Sequence, residues 1–217
     1  MRDLDVRTAL RRQLRFSFEN DPNTRIIEEL GLCQGSVRID VAVANCALHG
    51  YEIKSAADTL ARLPVQSDAY SKVFDFVTLV TADRHLAPIF AIIPDWWGII
   101  VAQNCGTDTT LEPMRNAEPN PSVDAYSIAQ LLWRNEVFDI LVSLRCSNGV
   151  KSKSREHLWQ RLVEVLSIDE LRECARRQIK ARQHWRPDEP SVSGDVLSPS
   201  VATPLSSHAL LGSPRNP

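Results

Sequence analysis

The segment "FDFVTLVTA" at residues 74–82 is an almost unbroken apolar run with the length of one β-strand. Successive side chains of a strand point to opposite faces of its sheet, so such a run is typical of a strand that is covered on both faces. A second run, "WWGIIVAQ" at 96–103, has the same character, and the intervening "HLAPIFAIIP" predicts a short helix. The chain is therefore expected to build a sheet with helices packed on it.

The preceding residues extend this sheet. Segments 37–44 and 48–54 are rich in β-branched and aromatic residues and predict two strands. Residues 3–16 have the apolar spacing of an amphipathic helix, and 56–73 has a helical pattern that restarts at a proline. The segment "TRIIEELGL" at 24–32 is compatible with a strand or a helical turn. This order predicts an α/β fold with a mixed sheet flanked by helices.

The character of the chain changes after residue 105. Residues 1–105 are predicted to form the α/β domain, and the polar, proline-broken segment 106–124 is predicted to be a linker. Residues 125–186 have the pattern of a small helical domain, with serine N-caps before its last two helices. Residues 187–217 contain six prolines and seven serines without any aromatic residue, which predicts a disordered tail.

Composition restricts the compartment and the class of protein. No apolar run approaches the roughly 20 residues that cross a bilayer, so no membrane partner is expected. The five cysteines are scattered and form no CxxC pair. This pattern disfavours a disulfide framework and a structural zinc site, and it favours reduced thiols in a cytoplasm.

The two strands at 37–54 carry charges that are unusual in such apolar surroundings. If their turn is centred at Cys46, residues whose numbers sum to 92 face each other, so Asp40 lies opposite Glu52. Lys54 follows on the same face as Glu52. Strict alternation would also place one set of β-branched residues on a single face: Val37, Ile39, Val41 and Val43.

Two neighbouring carboxylates in a half-buried place cannot both stay charged without a compensating cation. A hard divalent ion resolves this conflict, since Mg²⁺ typically uses one or two protein carboxylates with water and phosphate oxygens. An ammonium group beside such an ion can orient or deprotonate a water molecule. The hairpin therefore has the parts of a phosphodiesterase. The alternative is a solvated sheet face on which these charges simply pair.

These residues resemble a known pattern. Glu29, Asp40 on one strand, "EIK" at 52–54 on the next, and a following helix with a glutamine are similar to the PD-(D/E)XK phosphodiesterase superfamily, which has the restriction-endonuclease-like fold. The longer stretches "EELGL", "RIDVAVAN", "LHGYEIKSAADTLARLPVQSDAYSKVFDFVTLV" and "LLWRNEVFDIL" resemble a family of largely uncharacterised bacterial proteins assigned to that superfamily. The resemblance covers roughly residues 24–186.

The resemblance implies a role for each site residue. Asp40 and Glu52 would be the metal ligands, and Lys54 would be the catalytic lysine. A further acid and a glutamine on the next helix would support them, namely Glu29 and Gln66; Glu28 is an alternative to Glu29, which the "ELGL" context favours. The proline of the superfamily pattern is absent, because Ile39 precedes Asp40, and that proline is dispensable in the superfamily.

Basic side chains suggest where a nucleic acid would bind. Residues 151–186 contain ten Lys or Arg and five Asp or Glu, a local balance of +5. Arg172, Arg176 and Lys180 lie on adjoining faces of one predicted helix and could neutralise phosphates, and Arg62 near the site could do the same. A helix that is acidic at its start and basic at its end also satisfies its own dipole, so both interpretations stay open.

The sequence thus predicts an enzyme: a Mg²⁺- or Mn²⁺-dependent nuclease that cleaves DNA. The alternative is a non-catalytic nucleic-acid-binding or regulatory module on the same fold, and a third possibility is a structural protein whose hairpin charges only pair. DNA is the expected partner, and a homodimer is compatible with the sequence.

Overall fold

A six-stranded mixed sheet forms the centre of the computed structural model, which describes residues 2–106 and 108–182. The predicted tail, 187–217, lies outside the described residues. The β3–β4 and β4–β5 pairs are parallel, and the other neighbours are antiparallel. The strands follow one another across the sheet in chain order: β1 (Arg25–Leu32), β2 (Val37–Ala44), β3 (Leu48–Lys54), β4 (Phe76–Ala82), β5 (Gly98–Cys105) and β6 (Asp108–Arg115).

Seven α-helices in the described residues flank this sheet. Two of them, α2 and α3, lie in the connections that join the parallel strands, as parallel pairing requires. No helix of the described ranges combines the length and the hydropathy of a membrane span. The helices are α1 (Asp3–Ser17), α2 (Leu63–Ser71), α3 (Leu86–Ile89), α4 (Ala125–Ala129), α5 (Arg134–Ser143), α6 (Arg155–Val165) and α7 (Ile168–Ala181). The predicted α/β class with a mixed sheet and flanking helices is confirmed.

Helix α1 covers one face of the sheet. Its apolar stripe of Val6, Leu10 and Leu14 is buried against a cluster that includes Val41 and Tyr51. The amphipathic helix predicted at 3–16 is therefore confirmed, although Leu4 is exposed and Val6 takes its place on the buried face.

The larger core lies on the other face. Sheet residues such as Ile27 and Leu79 share one hydrophobic cluster with residues of the C-terminal helices, including Ile128, Leu158 and Ile179. The helices expected to form a domain at 125–186 therefore pack on the sheet through a common core.

The predicted linker at 106–124 is wrong for residues 108–115, which form β6 at the edge of the sheet. This strand is mostly exposed and carries Pro113, which an edge strand tolerates because one side of its backbone needs no partner. Its polar composition resembles that of a loop. Edge strands of this kind give a weak signal in a sequence, since little of their surface has to be apolar.

Two predicted helical segments are shorter than expected. Helix α2 begins at Leu63 with Pro64 in its first turn, so the predicted restart is confirmed but residues 56–62 form turns. The segment 127–144 contains two helices, because Trp133 has an extended backbone and Glu136 caps its N–H at 2.7 Å. A local feature sets the start of each helix: the proline in the first turn of α2, and the Glu136 cap of α5.

Gly98, the first residue of β5, lies so close to β4 and to the segment after β6 that a larger residue would not fit. A Cβ atom added at Gly98 would lie 2.7 Å from Oγ1 of Thr78 and 2.9 Å from the backbone nitrogen of Ala117. We expect Gly98→Ala to lower the free energy of unfolding by about 1–3 kcal/mol through overpacking. Urea denaturation would measure this loss, and a change below about 0.5 kcal/mol, the range of ordinary surface substitutions, would contradict it.

Candidate active site

The charged hairpin opens into a cleft where its two strands separate. The predicted register is confirmed for the pairs from Ala44–Leu48 to Val41–Tyr51, all of which sum to 92. The ladder ends there, and Asp40 does not continue it by pairing with Glu52. Its Oδ2 atom instead accepts a hydrogen bond of 2.7 Å from the backbone N–H of Ile53. The Asp40 carboxylate thus accepts the hydrogen bond that a backbone carbonyl of β2 would accept if the ladder continued.

Strand β2 reverses its faces at Asp40, so the predicted common face of Val37, Ile39, Val41 and Val43 is wrong. Val37 and Ile39 pack with the larger core, whereas Val41 and Val43 pack under α1. A regular strand cannot change faces in this way. The reversal turns Asp40 towards α1, while Glu52 on β3 points towards α2.

Strand β1 reverses at the same level, at Glu29. Ile27 and Leu30, three residues apart, both enter the larger core. Between them Glu29 has a φ of 56°, a left-handed conformation that is uncommon for a residue with a side chain. Backbone strain of this kind is concentrated at functional sites, where the surrounding structure holds it in place. The strained residue is one that the sequence assigned to the site.

One cavity of about 510 Å³ brings together every residue that the sequence placed at the catalytic centre, and Arg62 as well. Glu29 lines this cavity, whereas Glu28 pairs with Arg11 at 2.7 Å and is not among the described lining residues. The geometry therefore favours Glu29 over Glu28. The predicted residues that line the cavity are Glu29, Asp40, Glu52, Lys54, Arg62 and Gln66.

Glu52 is the buried centre of the site, with 2% of its surface exposed. Its Oε1 accepts hydrogen bonds from Nζ of Lys54 at 2.5 Å and from Nε2 of Gln66 at 2.6 Å. The hydroxyl of Tyr70 lies 2.6 Å from Oε2. Burial raises the pKa of Glu52 to about 7, and the nearby charge of Asp40 acts in the same direction, while Lys54 opposes it. Tyr70 is fully buried in the core, and its hydroxyl also holds the carboxylate.

Asp40 is held from the other side by Arg7, a residue that the sequence analysis did not assign to the site. Nη2 of Arg7 donates to Oδ1 of Asp40 at 2.6 Å, and Nη1 pairs with Glu29 at 2.8 Å. Burial raises the pKa of Asp40, whereas the N–H of Ile53 and the Arg7 guanidinium lower it. The only hint of Arg7 in the sequence is its place beside Val6 on the buried edge of the first helix.

The donor set suits a hard divalent ion. A carboxylate offers about four lone-pair positions. Asp40 uses two for Arg7 and Ile53, and Glu52 uses three for its partners, so each of these cavity-lining carboxylates retains capacity for a metal ion. The Oε1 atom of Gln66, a cavity-lining residue, is buried without a hydrogen-bond partner in the described part of the chain. Among residues 2–106 and 108–182, no group of three or more His, Cys, Asp or Glu side chains is arranged to hold a metal. The predicted set needs only two carboxylates.

The other predicted DNA-binding residues lie elsewhere. Arg172 and Arg176 pair with Asp75 at 3.1 and 3.3 Å, and Nζ of Lys180 lies 3.4 Å from the carbonyl oxygen of Asn45. Asp75 precedes β4, whose first residue pairs with the start of β3, whereas the site lies at the end of β3. These basic residues are thus about 16 Å of strand away. They dock α7 on the sheet, and contact of these residues with nucleic acid stays a prediction.

Comparison with known proteins gives one family. The sequence model of the family described as bacteriophage P4 protein cII matches residues 5–189. A relative, protein cII of Enterobacteria phage P4, is 26% identical over 175 residues, which are 80% of this chain and 62% of that protein. The chain thus spans less than two thirds of the length of this curated relative. No solved structure matches the chain.

Proposed function

The chain belongs to the bacteriophage P4 protein cII family, and we propose that this member is a metal-dependent nuclease that hydrolyses phosphodiester bonds of DNA. The observation that carries the proposal is the convergence of Glu29, Asp40, Glu52, Lys54 and Gln66 on one cavity. These residues come from three strands and one helix, so their meeting is a property of the fold. The mixed sheet with its site on the β2–β3 hairpin is compatible with the restriction-endonuclease-like fold, which is part of the proposal.

Each side chain has a role that follows from its position. Asp40 and Glu52 would hold Mg²⁺ or Mn²⁺, which when bound stabilises negative charge on the phosphate and acidifies a water molecule. Lys54, 5% exposed and bonded to Glu52, would orient the attacking water or neutralise phosphate charge. Gln66 would position water through its Oε1 atom, which has no hydrogen-bond partner among the described residues. Arg62 at the start of α2 would contact the backbone of the substrate.

Incubation with DNA tests the proposal. The purified protein is expected to degrade linear, circular or single-stranded DNA when Mn²⁺ or Mg²⁺ is present, and chelation should stop the reaction. Asp40→Asn keeps the shape of the side chain, so it should fold and lose cleavage by at least about 100-fold. Cleavage that survives chelation, or an Asp40→Asn variant with full activity, would contradict the proposal. The pattern of substrates would also distinguish exonuclease from endonuclease action.

A second candidate is a non-catalytic nucleic-acid-binding module on the same fold. The observation that favours it is the number of internal partners at the two carboxylates: Glu52 has three and Asp40 has two. Such a module would bind DNA with or without a divalent ion and leave it intact. Gel-shift and cleavage measurements on the same preparation separate the two candidates.

A further inference from the structure

Arg7 draws together carboxylates from three parts of the chain. Its guanidinium lies 2.6 Å from Asp40 on β2, 2.8 Å from Glu29 on β1 and 3.3 Å from Asp3 on its own helix. Its side chain is 15% exposed, and Arg7 is not one of the residues that line the cavity. The three acids do line it. The guanidinium therefore holds the carboxylates from behind.

Docking of helix α1 does not account for this arrangement. Val6, Leu10 and Leu14 already anchor the helix on the sheet with 5% exposure or less. A buried ion pair adds little to stability, because the cost of removing both charges from water offsets most of their attraction. Arg38, which also lines the cavity, pairs with Glu29 at 3.7 Å, so the three carboxylates have two guanidinium partners among the described residues. The carboxylates remain in excess by one charge, which a cation bound in the cavity would compensate.

The position of Arg7 also explains the strained strands. Glu29 and Asp40 lie where β1 and β2 reverse faces, and the backbone of Glu29 is left-handed. Two carboxylates that contact the same guanidinium are close enough to repel each other, and the shared donor offsets this repulsion. The planar fork of an arginine can bond both at fixed angles, which a lysine ammonium cannot do.

We propose that Arg7 is a positioning residue of the metal site, one that aims Asp40 and Glu29 into the cavity and thereby makes the site depend on helix α1. This inference rests on the proposed function. It assigns a role to a helix that precedes the site in the chain and contributes no metal ligand. Loss of partners that orient metal-binding groups typically weakens metal affinity by about 10–100-fold.

Manganese binding measured by electron paramagnetic resonance tests the inference without any need for activity. Arg7→Gln is expected to raise the Kd for Mn²⁺ by at least about tenfold. Arg7→Lys keeps the charge without the fork and should recover at most part of the affinity. Arg11→Gln is the matched control, because Arg11 lies one helical turn further along and pairs with Glu28. It should leave the Kd unchanged, and thermal melting would verify that all variants are folded.

The outcomes separate this inference from the proposed function. If the wild-type chain binds Mn²⁺ and Arg7→Gln binds it equally well or more tightly, Arg7 does not position the site, although the nuclease proposal stands. If Arg7→Lys binds Mn²⁺ as tightly as the wild-type chain, the charge alone suffices and the orientation argument fails in the same way. If the wild-type chain binds no Mn²⁺, the proposed function and this inference are both wrong.

Discussion

Replacing Lys54 by methionine is expected to reduce DNA cleavage by at least about 100-fold, the usual contribution of a group that handles a proton in the reaction. Lys54 lines the cavity, and its Nζ atom lies 2.5 Å from Glu52. Methionine matches the apolar stem of lysine and lacks the ammonium group. The cleavage rate at saturating Mn²⁺ measures the effect.

The fold is expected to survive this change. Burial already raises the pKa of Glu52 to about 7, so the carboxyl group takes up a proton when the neighbouring cation is lost. Gln66 and Tyr70 still bond it after that. The substitution therefore leaves no uncompensated charge in the core, and the effect on cleavage can be separated from unfolding.

Lys72→Met is the matched control for this experiment. Lys72 also pairs with an acid, Asp68 at 2.6 Å, but the pair is exposed and does not line the cavity. Its loss should leave cleavage unchanged. Equal activity of Lys54→Met and the wild-type chain would show that Lys54 has no part in the chemistry.

Removing the carboxylate of Glu136 is expected to cost about 3–5 kcal/mol of folding free energy, the effect of breaking a buried ion pair on one side. Arg182 forms a two-pronged bond with Glu136, at 2.8 Å from Nε to Oε1 and 2.7 Å from Nη2 to Oε2. Both residues are buried, with exposures of 6% and 7%. The guanidinium also lies 4.2 Å from the centre of the Trp133 ring.

Glu136→Ala loses several interactions at once. The substitution removes both bonds between Glu136 and the buried guanidinium, and it removes the cap on the N–H of Trp133 that begins α5. Chemical denaturation would measure the loss. Glu164→Ala is the control, because its pair with Arg161 is exposed and such pairs contribute about 0–1 kcal/mol. Similar losses in the two variants would contradict the interpretation of the buried pair.

The elements of the sheet were predictable where burial imposes a pattern. The apolar runs of β4 and β5 and the hairpin register of β2 and β3 follow from side-chain alternation and turn position. Strand β6 was not predicted, since an exposed edge strand needs few apolar residues and gives little pattern in the sequence. The N-caps predicted at Ser154 and Ser167 are confirmed, because a serine cap is a local interaction.

The site residues were predictable as a set, but their surroundings were not. Asp40, Glu52 and Lys54 are conspicuous because charge is rare in apolar strands. The partners of these charges depend on long-range packing: Arg7 is 33 positions from Asp40, and Tyr70 is 18 positions from Glu52. The face reversal at Glu29 and Asp40 also escaped prediction, since a period of two describes only regular strands. Long-range packing also decides the partners of the α7 arginines, which bind Asp75, and the sequence left their role open.

The central claim is that Asp40 and Glu52 together bind a divalent ion, and the most direct measurement is an anomalous difference map from crystals grown with Mn²⁺. The account predicts one strong peak in the cavity of about 510 Å³, within coordination distance of oxygen atoms from both carboxylates. No peak in this cavity at a saturating Mn²⁺ concentration, or a peak bound only by residues other than these two, would contradict it.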